Sequence, residues 1–182
     1  MEIAVIEKLE GIKLVAMDVD GTFTDGTLYY DSDGHVMKGF SSHDGLGLEL
    51  LRRAGIKRGF ITGRHDGATE ARVTYLSADF YISLVGDKSL ALKGLLEEYS
   101  LDASESLYMG DDLNDLTAFE LAGVTVAVAN ACTELKNRAD IITENPGGSG
   151  AVREVVNSIL RAKNIDPAAL WLSEKDRPVG MQ

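Results

Sequence analysis

Ile12–Thr22 reads IKLVAMDVDGT: an apolar run, Ile12–Met17, delivers two carboxylates, Asp18 and Asp20, followed by Gly21 and Thr22. A short apolar run closed by a glycine turn is the pattern of a strand buried on both faces. The same pattern recurs at Arg58–Ile61, Phe80–Val85, Leu107–Met109, Val124–Val128 and Ile141–Thr143. Stretches with helical spacing lie between most of these runs: one around Leu46–Leu51 that ends near Gly55, then Ala68–Leu76, Leu90–Tyr99, Asp115–Ala122 and Ala151–Ala162. Alternation of this kind predicts an α/β fold, a Rossmann-like open parallel sheet with helices on both faces. Thr27–Phe40 departs from the rhythm and reads as a β-hairpin turning at Asp31-Ser32-Asp33-Gly34, a turn rather than a calcium loop. Asp166-Pro167 is expected to cap a short helix carrying Trp171, and Glu174–Gln182 reads as a loose tail. The domain is therefore set at residues 1–164, with 165–182 as a C-terminal extension.

The polar residues fall where each strand ends. Asp18-Val19-Asp20-Gly21-Thr22 follows the first run, Thr62-Gly63-Arg64 the second, Asp87-Lys88 the third and Gly110-Asp111-Asp112 the fourth. In a parallel sheet those ends share one edge, the edge at which ligands bind. Phosphoryl transfer needs an in-line nucleophile and cations over the equatorial oxygens, and these clusters contain both. Asp18 is read as the nucleophile. Asp20, two residues on in extended chain and so roughly 6–7 Å away on the same side, is read as the general acid and base. Asp18 and Asp111 are expected to hold a magnesium ion, with Asp112 and Asp115 nearby. Lys88 opens a helix, where the macrodipole disfavours a cation, which makes sense if it reaches the phosphate and Asp18. Thr62 offers a hydroxyl, the following Gly63 a backbone N–H, and Arg64 a guanidinium fork. Each motif alone is ordinary: Asp-x-Asp-Gly is usually a turn, and an aspartate such as Asp112 is a common helix cap. Their order, each after an apolar run, carries the reading. His35 and His65 are expected to face solvent.

Composition narrows the classes. The chain has 182 residues and a formal net charge of -11, which disfavours nucleic-acid binding. Cys132 is the single cysteine, so no internal disulfide and no cysteine-based zinc cluster is expected. No apolar run approaches a membrane span, and the first residues lack a signal-like core, so a cytoplasmic protein is expected. A phosphorylated receiver module is disfavoured because its lysine would follow the acidic cluster rather than precede it. A non-catalytic oligomerisation domain has no missing side chain to support it.

These motifs resemble the signature motifs of the haloacid dehalogenase superfamily of phosphatases: DVDGT at Asp18–Thr22, Thr62, Lys88, and Gly110-Asp111-Asp112 through Asp115. The resemblance implies Asp18 as nucleophile, Asp20 as acid and base, and magnesium held by Asp18, the Asp20 carbonyl and Asp111. Within the superfamily, DVDGTFTDG at Asp18–Gly26, Asp44-Gly45, ITGR at Ile61–Arg64 and GAVREV at Gly150–Val155 are similar to the 3-deoxy-D-manno-octulosonate 8-phosphate phosphatase family. That likeness implies a capless homotetramer acting on a phosphorylated sugar acid in lipopolysaccharide biosynthesis. By position it implies substrate contacts from Asp20, Ser41, Ser42, His43, Asp44, Gly45, Thr62, Gly63, Arg64, Arg72 and Lys88. Where that family usually carries arginines, this chain has His43 and Ser149, leaving a nonulosonate phosphate or a broader range of small phosphate esters open.

The spacing leaves no room for an inserted cap, since only the hairpin separates Asp20 from Asp44, and Arg64 to Lys88 holds one helix and one strand. A cleft open to bulk water would weaken its electrostatics, so neighbouring subunits are expected to wall it through the apolar hairpin residues Leu28, Tyr29, Tyr30, Val36, Met37 and Phe40.

Overall fold

All four residues of β1 (Leu14–Met17) are buried. Side chains alternate between the two faces of a strand, so this burial requires a covered sheet on both sides. The computed structural model describes residues 3–173 and supplies that cover. Around β1 run β4 (Lys57–Ile61), β5 (Phe80–Ile82), β6 (Ser106–Gly110), β7 (Val124–Ala127) and β8 (Ile141–Ile142), in a six-stranded sheet ordered β5-β4-β1-β6-β7-β8. Every pairing is parallel; Ala16 lies opposite Gly59 on one side and Tyr108 on the other. A separate antiparallel ribbon, β2 (Tyr29–Tyr30) with β3 (Val36–Met37), forms the expected hairpin.

The helices are α1 (Ile3–Gly11), α2 (Ser42–Arg53), α3 (Gly67–Tyr75), α4 (Lys88–Tyr99), α5 (Leu116–Phe119), α6 (Thr133–Lys136), α7 (Ala151–Ala162) and α8 (Pro167–Ser173). Helices α1 and α2 pack on α7, whose Val152, Val155, Val156, Ile159 and Leu160 form one buried stripe, while α4 packs on α5. The chain leaves β1 for β4 and later returns to β6 on its other side, so β1 sits at the switch point where the crevice of such a sheet opens.

Four elements differ from the expected set. Strand β5 ends at Ile82 rather than Val85, because Leu84 adopts the left-handed region (φ 60°) and turns the chain. The expected helix over Asp115–Ala122 contracts to α5 behind a tight turn at Leu113–Asp115, wound by the Asp112 side chain accepting the Leu113 N–H at 2.8 Å. Helices α1 and α6 were not in the expected set. Helix α8 lies against α2, where the Arg53 guanidinium sits 4.0 Å over the Trp171 ring and donates to the Trp171 carbonyl at 2.8 Å. The expected tail, Glu174–Gln182, lies outside the described residues.

One buried side chain ties α2 to the start of α7. Asp44, fully buried, accepts the Gly150 N–H at 3.1 Å and the Arg153 N–H at 2.9 Å, closing the N-terminus of α7. Charge-assisted bonds of this kind contribute about 1.5–3 kcal/mol each. Asp44→Ala is expected to lower unfolding free energy by about 3 kcal/mol in denaturant titration, because two buried N–H groups lose their acceptor. A change below about 0.5 kcal/mol contradicts the capping role.

Candidate active site

The strand ends bring Asp18, Asp111 and Asp115 together beside one buried ammonium. Lys88, 1% exposed at its side chain, extends from the first residue of α4 to Asp18 Oδ1 at 2.9 Å and Asp115 Oδ1 at 2.6 Å. Asp115 is saturated: its Oδ1 also accepts the Tyr108 hydroxyl at 2.9 Å, and its Oδ2 accepts the Asp111 N–H at 2.9 Å and the Asp112 N–H at 3.3 Å. It therefore shapes the loop after β6 and aims Lys88. Asp111 is held differently, by the Thr22 hydroxyl donating to its Oδ1 at 3.1 Å.

The loop after β1 is cradled closely. Gly21 has φ 93°, and a Cβ there would collide with the Asp111 carboxylate. From the other side Asn130 donates to the Gly21 carbonyl at 3.4 Å and accepts the Gly147 N–H at 2.7 Å, while the Gly148 N–H reaches the Thr22 carbonyl at 3.2 Å. A side chain at Gly147 would strike the Gly21 carbonyl. The glycines of 147–150 thus let a second loop back the Asp18–Thr22 turn.

Asp18, Asp20, Thr62, Arg64, Asp111 and Asp112 line an open cleft of about 350 Å³ at this edge, with Gly63 among them. Thr62 is buried and its hydroxyl oxygen accepts the Arg64 N–H at 3.2 Å, leaving the hydroxyl proton for a ligand. A larger groove of about 610 Å³ between α2, α7 and α8 contains none of the polar residues at the strand ends, so the smaller cleft is the candidate site.

Of the residues carried over for substrate contact, Asp20, Thr62, Gly63 and Arg64 line the cleft and Lys88 reaches Asp18, whereas Ser41, Ser42, His43, Asp44, Gly45 and Arg72 fall elsewhere. Ser41 caps α2, its hydroxyl oxygen accepting the Asp44 N–H at 3.3 Å, and Arg72 donates to the Ser41 carbonyl at 3.4 Å while lying over the Phe40 and Tyr75 rings. Gly45 is buried against the Arg72 guanidinium, and Ser42 and His43 are exposed. These six residues do not line the cleft, and the Asp44 carboxylate accepts the N–H groups that open α7. His35 and His65 are exposed as expected; His35 pairs with Asp31 at 2.9 Å within the hairpin turn.

One residue at the site has no counterpart in the motif reading. Lys38, at the end of β3, has a side chain 1% exposed and lies 2.6 Å from Asp20 Oδ1 and 2.6 Å from Asp66 Oδ2. Only its position after an otherwise exposed ribbon hints at it in the sequence.

Electrostatics favour a cation here. Burial first, then Asp115, push the Asp18 carboxyl up to about 6 against the opposing pull of Lys88. Burial, then Asp18 and Asp115, push Asp111 up to about 7. Burial opposes the Lys88 charge, yet the two carboxylates facing it raise its pKa. Asp18, Asp111 and Asp115 each offer an oxygen within 4.8 Å of the others. Because Asp115 is saturated by Lys88, Tyr108 and two N–H groups, the donors that fit a hard divalent cation are Asp18 and Asp111. The oxygen-only donor set and the mutual repulsion both suit magnesium.

Comparison with known proteins agrees with this geometry. Residues 82–155 match the family model described as haloacid dehalogenase-like hydrolase. The 3-deoxy-D-manno-octulosonate 8-phosphate phosphatase of Haemophilus influenzae is 38% identical over 86% of this chain and 87% of its own. The Escherichia coli K12 protein of the same name is 38% identical over 87% of this chain and 85% of its own. A crystal structure of that phosphatase from Moraxella catarrhalis, in complex with magnesium ion, phosphate ion and KDO, superposes with TM-score 0.89 at 40% identity, covering 94% of this chain and 99% of that one.

Both raised carboxyls bind protons more readily in the folded chain than at their ordinary value of 3.8. Their contribution to stability is complete below that value and is lost as pH rises through about 6 and about 7. A cation replaces the protons at high pH. Magnesium chloride is therefore expected to raise the Tm of chelator-treated protein more at about pH 8 than at about pH 5. Equal shifts in scanning fluorimetry contradict this.

Proposed function

This chain belongs to the haloacid dehalogenase-like 3-deoxy-D-manno-octulosonate 8-phosphate phosphatase family, and from that membership we propose that it is a magnesium-dependent phosphomonoesterase hydrolysing a phosphorylated sugar acid of that type. The single observation that carries the reading is Lys88, buried at a helix start and reaching Asp18 at 2.9 Å, a placement that serves an anionic ligand in the cleft.

In the proposed mechanism an Asp18 oxygen attacks phosphorus, the phosphorus–oxygen bond to the sugar breaks, and Asp20 protonates the departing oxygen. Asp20 then takes a proton from the water that attacks the aspartyl-phosphate, releasing inorganic phosphate and restoring Asp18. Lys88, the Thr62 hydroxyl and the Gly63 N–H hold the phosphoryl oxygens, with Arg64 at the mouth. Magnesium, when bound by Asp18, the Asp20 carbonyl and Asp111, supplies charge neutralisation between nucleophile and phosphate. Asp112 and Asp115 support the loop that carries Asp111.

We further propose a cytoplasmic homotetramer in which residues 1–164 form the catalytic domain. The ribbon supports the assembly, because Tyr29, Tyr30 and Met37 are 57%, 59% and 60% exposed. Substituting serine for both tyrosines is expected to lower the mass seen by light scattering; an unchanged mass argues against ribbon-mediated assembly.

Phosphate release from a panel of sugar-acid, hexose and nucleotide monophosphates tests the activity. Turnover is expected to be highest on the octulosonate ester and to fall about 10³-fold or more in Asp18→Asn. Turnover of no monoester, or full turnover in Asp18→Asn, removes the reading.

A further inference from the structure

We propose that Lys38 is a positioning residue for the Asp20 carboxylate, so that the hairpin forms part of the catalytic apparatus; the inference rests on the reading of Asp20 as the acid and base. Neither Asp20 oxygen receives an aligned hydrogen bond, although both are buried. The contacts that restrain the group are ionic: Lys38 Nζ 2.6 Å from Oδ1 and Arg64 Nε 3.9 Å from Oδ2. Arg64 has a side chain 55% exposed and is a loose restraint, whereas the Lys38 side chain is 1% exposed.

Lys38 is itself held in place. It donates to Asp66 Oδ2 at 2.6 Å and to the Thr69 hydroxyl at 3.1 Å, and Asp66 is fixed as the N-cap of α3, its Oδ1 accepting the Thr69 N–H at 2.9 Å. A flexible four-carbon stem thereby acquires a single geometry, anchored at the start of α3. With Oδ1 occupied by Lys38, Oδ2 is the Asp20 oxygen left to exchange a proton with the departing sugar oxygen and then with water. An acid free to rotate would lose part of the ~10²–10⁴-fold that a well-placed proton donor contributes.

Two substrates separate positioning from folding and from binding. A sugar-acid phosphate has a poor leaving group that needs the proton; p-nitrophenyl phosphate leaves without one in the first step. In Lys38→Met, kcat on the sugar ester is expected to fall ~10–100-fold while KM stays within about threefold. The p-nitrophenolate burst is expected to remain at one equivalent per subunit, since aspartyl-phosphate forms normally and only its hydrolysis slows. Wild-type kcat on both substrates overturns the inference, as does a raised KM with unchanged kcat, or a burst that shrinks in step with kcat. If Lys38→Met does not fold, Asp66→Asn decides, because it keeps the cap oxygen and removes the charge that anchors Lys38. It is expected to show the same split at ~3–10-fold, and wild-type kinetics in it overturn the inference. Activity in Asp18→Asn would instead remove the phosphatase reading itself.

Discussion

A buried ammonium needs anionic partners, and in this chain Lys88 has two, Asp18 and Asp115. The arrangement orders everything around it. Asp115 is fixed by Tyr108 and by the N–H groups of Asp111 and Asp112, so the loop after β6 can take one shape only while the lysine is present. Asp18 is fixed by the same ammonium, with one oxygen turned to it. Without the lysine, three carboxylates would share a desolvated volume, and the raised pKa values of Asp18 and Asp111 already record the burial and the mutual repulsion there. The sheet makes the meeting possible, because β1, β5 and β6 end on one edge.

Around that centre the backbone is packed as tightly as the side chains. Gly21 and Gly147 are places where any Cβ would strike a carboxylate or a carbonyl, and Asn130 bridges the two loops by hydrogen bonding to both. Asp44 closes the far end of the 147–150 loop by capping α7. The ribbon enters this scheme through Lys38, which joins an element with three exposed apolar residues to Asp20. The hairpin and the strand-end cleft are thereby linked through one side chain.

Much of this was legible in the sequence because it follows from local patterns. Apolar runs ending in Asp, Thr or Gly located the central strands, and the chain order of Asp18, Thr62, Lys88 and Asp111 placed them on one edge. What escaped reading depends on contacts between distant residues. Lys38 looks like a surface lysine at the end of a hairpin; only the fold brings Asp20 and Asp66 to it. Asp44 sits in a motif associated with substrate, yet its partners, Gly150 and Arg153, lie more than a hundred residues away. Helix α1 does carry a buried Val5 and Leu9 at helical spacing, with buried Ile12 just after its end, but so few residues over so short a span give a weak signal. The contraction of α5 came from Asp115, whose carboxylate serves the preceding loop instead of continuing a helix.

Chemistry at Asp18 is the point on which the structure and its proposed activity meet most directly. Acid quenching during turnover of phosphate-labelled substrate with magnesium, followed by tryptic mapping, locates the phosphoryl group. The expected result is label on the peptide Leu14–Lys38 at Asp18, absent in Asp18→Asn. Label on another residue, or turnover with no covalent label under conditions that preserve acyl phosphates, would contradict it.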